Sequence, residues 1–400
     1  MNSTFCVRNY DYYFVELDRL VWRMCCHTTQ KPMTPGKDWF NGPEMQERRQ
    51  AASTGIKHPD CHYCWKLEDD GVESSRHHAL KNYTSSHTVS KLTQGNFEFR
   101  DILEIKLSNI CDMACRYCAP AYSSIWAQRL KVYDKQDMLK IRSTDEYKQV
   151  FNEFVAWLNK ELPRFKKGRG ITFTGGEPFL DEKLYELIEG LNLEDTHLTF
   201  NTNLNTPENK WNQQTSLLTK LISKNNTIQL RCSIDGIGKQ QEWQRQGADW
   251  NLMKENWLRL GLLKVQMCPV TTVTPLTLES MCGVGIFVQN TADRLVKKPQ
   301  WFQSTIVNWP RVFSPMEWFS SFKDEINLMI KLVNDSKIDG QYFGPASQLK
   351  SWLITKNNFP TTNAKNTLIK TLDETEKLYG GGSWREIYPK VSKLAGFIDV

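Results

Sequence analysis

The chain has 400 residues, 40% of them hydrophobic, which suffices for two or three domains and a sizeable core. Its 51 basic and 45 acidic residues leave a net charge of +6, a weak excess with no concentrated stripe, so no nucleic-acid partner is expected. There is no basic-then-apolar leader and no run of about 18 apolar residues. No membrane partner is therefore expected and the expected location is cytoplasmic, a reducing compartment in which eleven Cys argue for metal binding or catalysis rather than disulfides.

Residues 1–95 are irregular and rich in Cys, His and aromatic residues, with loops such as TTQKPMTPGKDW and one short predicted helix over Met45–Ser53. A segment this irregular needs more than an apolar core to fix it, and a metal cluster would serve. From about 97 the pattern changes. FRDILEIKLSN (99–109) alternates as a strand, 122–133 reads as a helix, and 144–161 is an amphipathic helix with Thr144 as its N-cap. Further strands are predicted at 170–176, 196–203, 227–235, 263–273 and 303–309. Between them lie helices at 181–191 and 209–223, a Trp-rich helix reaching about 262, and another at 276–289. Strands alternating with helices in this way mean parallel βαβ units with right-handed crossovers. Six are fewer than the eight of a closed barrel, which leaves an open sheet or a partial barrel, with ligands at the C-terminal strand ends in either case. After 310 the chain is mainly helical, and GGGSW (380–384) reads as a turn.

The cysteines cluster. CDMACRYC (111–118) follows the first strand of the αβ region with the spacing C-x3-C-x2-C. Three thiolates on one short loop can hold three irons of a [4Fe–4S] cluster, which normally takes four Cys, and so leave one iron open to a small molecule. The alternative is structural zinc, which wants four ligands, and no fourth Cys or His lies soon after Cys118. Cys232, Cys268 and Cys282 stand alone and are expected to be small buried hydrophobes.

This loop, with Tyr117 just before its third Cys, resembles that of the radical S-adenosylmethionine (SAM) superfamily. The resemblance covers about residues 97–310 and implies a partial (β/α)6 barrel of parallel strands, in an α/β chain with an irregular N-terminal Cys-rich cluster domain (1–95), a core (96–310) and a helical C-terminal extension (311–400). It also implies that Cys111, Cys115 and Cys118 hold the cluster, that SAM binds the open iron, and that an electron cleaves its sulfonium to Met and a 5′-deoxyadenosyl radical. Tyr117 would lie beside the adenine. Gly175-Gly176-Glu177-Pro178, ending the second strand, matches the family's GGEP and would receive the SAM ammonium, since glycines let carbonyls approach a cation closely. In FNTNLN, Asn203 is the better match to a TNG-like segment and Asn201 the weaker, with Leu204 where Gly is common. Ser233 and Asp235 of SIDG share a strand face and would bond the ribose. Arg245, in QQEWQRQG (240–247), would meet the SAM carboxylate.

A second cysteine group comprises Cys6, the Cys25-Cys26 pair, Cys61 and Cys64. With DWFN (38–41), RRQAASTG (48–55), CHYCWKLEDDG (61–71) and SSR (74–76), it resembles the SPASM or twitch domains that hold auxiliary Fe–S clusters, placed here before the core instead of after it. One auxiliary [4Fe–4S] cluster is implied on Cys6, one member of the Cys25-Cys26 pair, Cys61 and Cys64, with Cys25 taken as that member and Cys26 as the alternative. A zinc knuckle using His27, His58 or His62 is the alternative. The resemblance points to hydrogen abstraction from a peptide or protein side chain, with flavodoxin or ferredoxin as electron donor. The second reading is a small-molecule substrate such as a sugar, nucleoside or cofactor precursor, and the third a zinc-binding interaction protein.

Overall fold

The computed structural model describes residues 4–25, 27–39, 42–69, 74–81, 102–132, 140–165, 170–299, 303–307, 311–335 and 359–396. The domain boundary expected at 95/96 lies outside them, as do residues 40 and 41 of DWFN, Cys26 and residue 310. In chain order the strands are β1 (Tyr12–Glu16), β2 (Val21–Arg23), β3 (Lys31–Pro32), β4 (Ile102–Lys106), β5 (Ala114–Cys115), β6 (Gly170–Thr174), β7 (His197–Thr202), β8 (Thr227–Ser233), β9 (Arg245–Gln246), β10 (Gln266–Val273) and β11 (Gln303–Ile306).

The chain forms two compact units. The first comprises Met1–Asn109, Tyr133–Thr199 and Ser223–Thr227. In it β4 pairs in parallel with β6, from Ile102↔Gly170 to Lys106↔Thr174. On its other side β4 pairs in parallel with β1, from Tyr12↔Ile102 to Glu16↔Lys106. β2 and β3 continue from β1 as antiparallel strands. Strand β1 lies in the segment read as irregular. All five of its residues are buried, so YYFVE lacks the two-residue alternation by which a half-exposed strand is recognised. The helix Pro43–Thr54 extends the expected one by a residue or two at each end, and His62–Asp69 and Ser75–Lys81 are additional. Helix Asp145–Phe165 starts on Thr144, whose Oγ1 accepts from the Tyr147 amide at 3.2 Å. Its Tyr147, Val150, Phe151, Phe154, Leu158 and Leu162 form a buried stripe at helical spacing, each worth roughly 1.5–3 kcal/mol of burial.

The second unit comprises Ile110–Val132, Phe200–Ile222 and Ile228–Val400. Here β8 pairs in parallel with β10, from Gln229↔Gln266 to Ser233↔Val270, and β10 with β11. Ile228, Leu230 and Cys232 are all fully buried and share one face of β8, which places Gln229, Arg231 and Ser233 on the other. Short β5 pairs antiparallel with short β9. Helices Lys323–Asp335, Thr362–Tyr379, Trp384–Ile387 and Pro389–Leu394 make up the C-terminal region. The expected class holds: α/β, with mainly parallel strands alternating with helices and a helical C-terminal region. Cys232 and Cys268 are fully buried as expected, while Cys282 is half-buried. Among the described residues no helix is long and apolar enough to cross a membrane.

Candidate active site

The loop bearing Cys111, Cys115 and Cys118 is fixed at nearly every residue. Cys111 exchanges bonds with Ser124: its amide donates to Oγ, and Oγ donates to its carbonyl, both at 3.2 Å. Ser123 Oγ donates to the Met113 carbonyl at 2.7 Å and Trp126 Nε1 to the Cys115 carbonyl at 2.8 Å. The Cys118 amide donates to the Cys115 carbonyl at 2.9 Å. Asp112 accepts from Asn203 Nδ2 at 2.6 Å and from Asn205 Nδ2 at 2.7 Å, so the loop is tied to the segment after β7. Burial pushes the Cys115 thiol up to about 12, against the opposing charge of Arg245, and burial also raises Cys118. Thiols this hard to ionise need a positive partner to become thiolates, and bound iron is such a partner.

The β5–β9 pair sets Cys115 opposite Arg245. Arg245 Nε donates to Asp235 Oδ2 at 2.7 Å, and the Tyr117 hydroxyl donates to the same oxygen. Asp235 Oδ1 accepts from the Thr272 amide at 2.7 Å. The outer nitrogens of Arg245 make longer contacts, Nη1 to Cys115 Sγ at 3.8 Å and Nη2 to Thr272 Oγ1 at 3.4 Å. Its guanidinium lies 5.6 Å from the Tyr117 ring centroid. Burial opposes the Arg245 charge, but Asp235, with Tyr117 and Cys115, outweighs burial and holds it more firmly protonated than usual. Sequence reasoning gave Asp235 and Arg245 separate SAM contacts; here they are partners. Ser233 is half-buried at the end of β8, and its carbonyl accepts from Gln241 Nε2 at 3.2 Å.

Asn203 is buried and also accepts, through Oδ1, from the Asn205 amide at 2.8 Å. Leu204, where glycine would be easier, adopts the left-handed turn nonetheless, at φ 64°. The Thr202 hydroxyl accepts its amide at 3.1 Å and Asn256 Nδ2 donates to its carbonyl at 2.9 Å, which holds the turn. Asp112, Asn205 and Thr272 were missed in the sequence. Asp112 lies inside the Cys loop and Asn205 inside FNTNLN, but nothing local marks them as partners.

In the first unit, the Gly175–Pro178 segment follows β6. Gly175 sits at φ 131°, and a Cβ there would stand 2.4 Å from the Ser108 carbonyl oxygen, so only glycine fits. The Gly176 amide donates to that carbonyl at 2.9 Å. Glu177 is buried, and its carboxylate accepts from the Phe179 amide at 3.3 Å. Pro178 opens a short 3-10 turn. Beside it, Arg142 donates to both oxygens of Asp181 at 2.9 and 2.8 Å, and Ser108 Oγ donates to Asp181 at 2.5 Å.

Cys6, Cys25, Cys61 and Cys64 also lie in the first unit, near enough to perturb one another. Burial is the main cause raising Cys6, followed by Cys25, with Cys61 and Cys64 adding to it. Burial takes Cys61 to about 11, opposed by Arg48 and reinforced by Cys25 and Cys64. Burial is also the main cause raising Cys64, with Cys25 adding to it and the Arg76 backbone and Ser74 side chain opposing it. Of the alternative zinc ligands, His27 stacks on Tyr63 and bonds Ser75 Oγ at 2.9 Å, His58 Nδ1 accepts from the Asp60 amide at 3.2 Å, and His62 is exposed. Among the described residues no three His, Cys, Asp or Glu are placed to hold a single metal ion. A lone zinc needs every sulfur about 2.3 Å from one point, whereas an iron–sulfur cube binds each thiolate at a separate corner.

Residues 105–236 match the model of the Radical SAM superfamily. No curated protein matches the chain. Similar solved structures include native anSMEcpe with bound AdoMet, 18% identical with a TM-score of 0.38, over 61% of this chain and 64% of that one. Streptococcus suis SuiB bound to the precursor peptide SuiA is 12% identical with a TM-score of 0.41, over 72% and 64%. The same protein bound to S-adenosylmethionine is 13% identical with a TM-score of 0.42, over 74% and 65%. The likeness spans just under two thirds of the length of those chains.

Proposed function

We propose that this chain, whose residues 105–236 match the Radical SAM superfamily model, is a radical SAM enzyme, that Cys111, Cys115 and Cys118 hold its SAM-binding [4Fe–4S] cluster, and that its substrate is a peptide or protein side chain. The observation that carries the site is the β5–β9 pairing, which sets a cluster cysteine directly opposite an arginine that Asp235 already orients. When bound, the cluster supplies the electron that splits the SAM sulfonium into Met and the radical that abstracts hydrogen. The chain's own residues do the positioning. With Nε taken by Asp235, Arg245 turns Nη1 and Nη2 toward the SAM carboxylate, in a charge-assisted pair. Asp235 acts through Arg245 and Tyr117, which leaves Ser233 as the ribose contact and the Tyr117 ring beside the adenine. Asn203, just after β7, fixes the loop through Asp112. The carbonyls of Gly175 and Gly176 receive the ammonium. Glu177 would add negative charge for the ammonium while capping its own turn, which Pro178 opens.

Cys6, Cys25, Cys61 and Cys64 hold an auxiliary [4Fe–4S] cluster. Four ligands leave no open iron, so this cluster would accept an electron instead of binding substrate. The likeness of this group to SPASM or twitch domains favours a peptide substrate. An electron donor of the flavodoxin or ferredoxin kind would reduce the first cluster.

The test is anaerobic purification, reconstitution and analysis of iron and sulfide. About eight irons per chain are expected from two clusters, with release of 5′-deoxyadenosine on reduction with SAM. The combined Cys111→Ala, Cys115→Ala, Cys118→Ala variant should keep about half the iron and lose that cleavage. Bound zinc without SAM cleavage would sink the proposal. Deuterium passing from a labelled peptide into 5′-deoxyadenosine would identify the substrate class; transfer only from small molecules would refute the peptide assignment.

A further inference from the structure

The GGGSW turn, which the reading of the site leaves without a role, makes specific contacts with the cluster loop. Three carbonyls of Tyr379–Gly382 point at the two sides of the β5–β9 pair. The Gly380 carbonyl accepts from Arg116 Nη2 at 2.6 Å, the Gly382 carbonyl from Trp243 Nε1 at 3.1 Å, and the Tyr379 carbonyl from Gln246 Nε2. Arg116 directly follows Cys115, Gln246 directly follows Arg245, and Trp243 stands two residues before Arg245. The turn therefore touches both strands of the pair that sets the cysteine against the arginine.

Arg116 is the centre of this contact. It is 6% exposed, its Nε donates to the Trp243 carbonyl at 2.7 Å, and its guanidinium lies 3.7 Å from the Trp243 ring centroid. The Arg116 amide donates to the Gln244 carbonyl at 2.9 Å, extending the β5–β9 pairing. Among the described residues Arg116 has no carboxylate at ion-pairing distance, so backbone carbonyls and a ring hold a buried cation in place. The turn has the backbone that such contacts need: Gly380, Gly381 and Gly382 all lie at positive φ, with Gly381 at 103°. A Cβ on Gly381 would stand 3.1 Å from Arg116 Nη2 and 3.4 Å from the Trp243 ring. The turn is itself anchored. The Trp384 amide donates to Glu376 and its indole to Asp373, both at 2.8 Å, and the Tyr388 hydroxyl donates to the Gln240 carbonyl at 2.7 Å.

We infer that the Tyr379–Gly382 turn is part of the SAM-cluster site, a brace that holds Cys115 and Arg245 in register, with Arg116 as its positioning residue. This rests on the assignment of the cluster to Cys111, Cys115 and Cys118. Arg116 touches neither cluster nor SAM in this account; it acts by fixing the backbone that carries both of their contacts. The turn lies more than 250 positions from the cysteines in sequence, so the C-terminal region takes part in the site.

The experiment compares wild type with Gly381→Ala, Arg116→Met and Arg116→Lys in the reconstituted enzyme. SAM is titrated against the electron paramagnetic resonance signal of the reduced cluster, and iron content and thermal midpoint are measured alongside. Gly381→Ala and Arg116→Met should each raise the SAM concentration at half-effect about tenfold at unchanged iron content, equivalent to about 1.4 kcal/mol. The two together should be little worse than either alone, because they break one contact. Arg116→Lys, which keeps one charged bond to the Gly380 carbonyl, should fall between. Titrations that superimpose on wild type, whatever happens to the thermal midpoint, would overturn the brace. A wild-type enzyme with no SAM-dependent signal would instead defeat the cluster assignment. Hydrogen exchange in the cluster-free protein then decides the brace: faster exchange of the Arg116 and Cys118 amides in Gly381→Ala supports it, and unchanged exchange refutes it.

Discussion

Replacing Asp235 with Asn should cost the protein more stability than almost any other single isosteric change. The carboxylate is fully buried and joins three elements: Arg245 Nε and the Tyr117 hydroxyl on Oδ2, and the Thr272 amide on Oδ1. Asn preserves the shape and can still accept from the Thr272 amide, so the change chiefly removes charge. What remains is a guanidinium whose side chain is 9% exposed with its counter-ion gone. Stranding one member of a buried ion pair costs about 3–5 kcal/mol, and the retained hydrogen bond argues for the lower end, about 3 kcal/mol. For a compact unit of roughly 200 residues this corresponds to a fall of about 6–12 °C in thermal midpoint. The assay is thermal unfolding of the cluster-free protein, which separates the effect from SAM chemistry. Adding Arg245→Met should recover much of the loss, because the double variant leaves neither charge stranded. A single variant within about 1 kcal/mol of wild type, or a double variant with no recovery, would refute the ion-pair reasoning.

Two other buried networks give sharp expectations. Burial alone would raise Asp181, but Arg142, Ser108 and the Lys183 amide together outweigh it and lower its pKa. Its contribution is therefore fully present above the unfolded carboxylate pKa of about 3.9 and is lost as pH falls from there through the lowered folded value. The stability difference between wild type and Asp181→Asn, followed by denaturant titration at a series of pH values, should be flat near neutrality and shrink only in acid; a difference that grows in acid would contradict the sign. Lys106 is wholly buried, with Nζ 3.1 Å from Glu16 and 2.8 Å from Asp18. Lys106→Met should cost about 3–5 kcal/mol by stranding the buried Asp18 carboxylate, since Glu16 keeps Arg23 at 2.6 Å; this is read as a lowered thermal midpoint, and a change below about 1 kcal/mol would show that the charges are not coupled.

The parts of the fold legible in sequence are those in which one face is wet and the other dry. Helix Asp145–Phe165 shows its stripe and its Thr144 cap because solvent covers its other side. β8 shows Ile228, Leu230 and Cys232 alternating with polar residues, of which Arg231 and Ser233 are half-buried and Gln229 is buried. Strand β1 shows nothing of the kind, since Tyr12, Tyr13, Phe14, Val15 and Glu16 are all buried. Even its polar member is hidden, because Glu16 is matched by Lys106 on the neighbouring strand and by Arg23. Burial on both faces erases the periodic signal, and a paired charge then reads falsely as a surface residue.

The site divides along another line. Thiols on a short loop and glycines at a strand end announce themselves because their chemistry is local: C-x3-C-x2-C and a Gly175 that no larger residue could replace. Partnership across distance does not. Asp235 lies in SIDG after β8 and Arg245 in QQEWQRQG, and nothing in the spacing says that they bind one another. Their pairing changes the logic of the site. An unpaired Arg245 would have to be drawn into place by the SAM carboxylate, at a cost in conformational freedom. Held by Asp235 and backed by the β5–β9 register, with the proposed brace of Arg116 and the glycine turn behind it, it would on the proposed reading be in place before SAM arrives. Such preorganisation comes from residues that never touch the ligand, so it is the part of a site least visible in sequence.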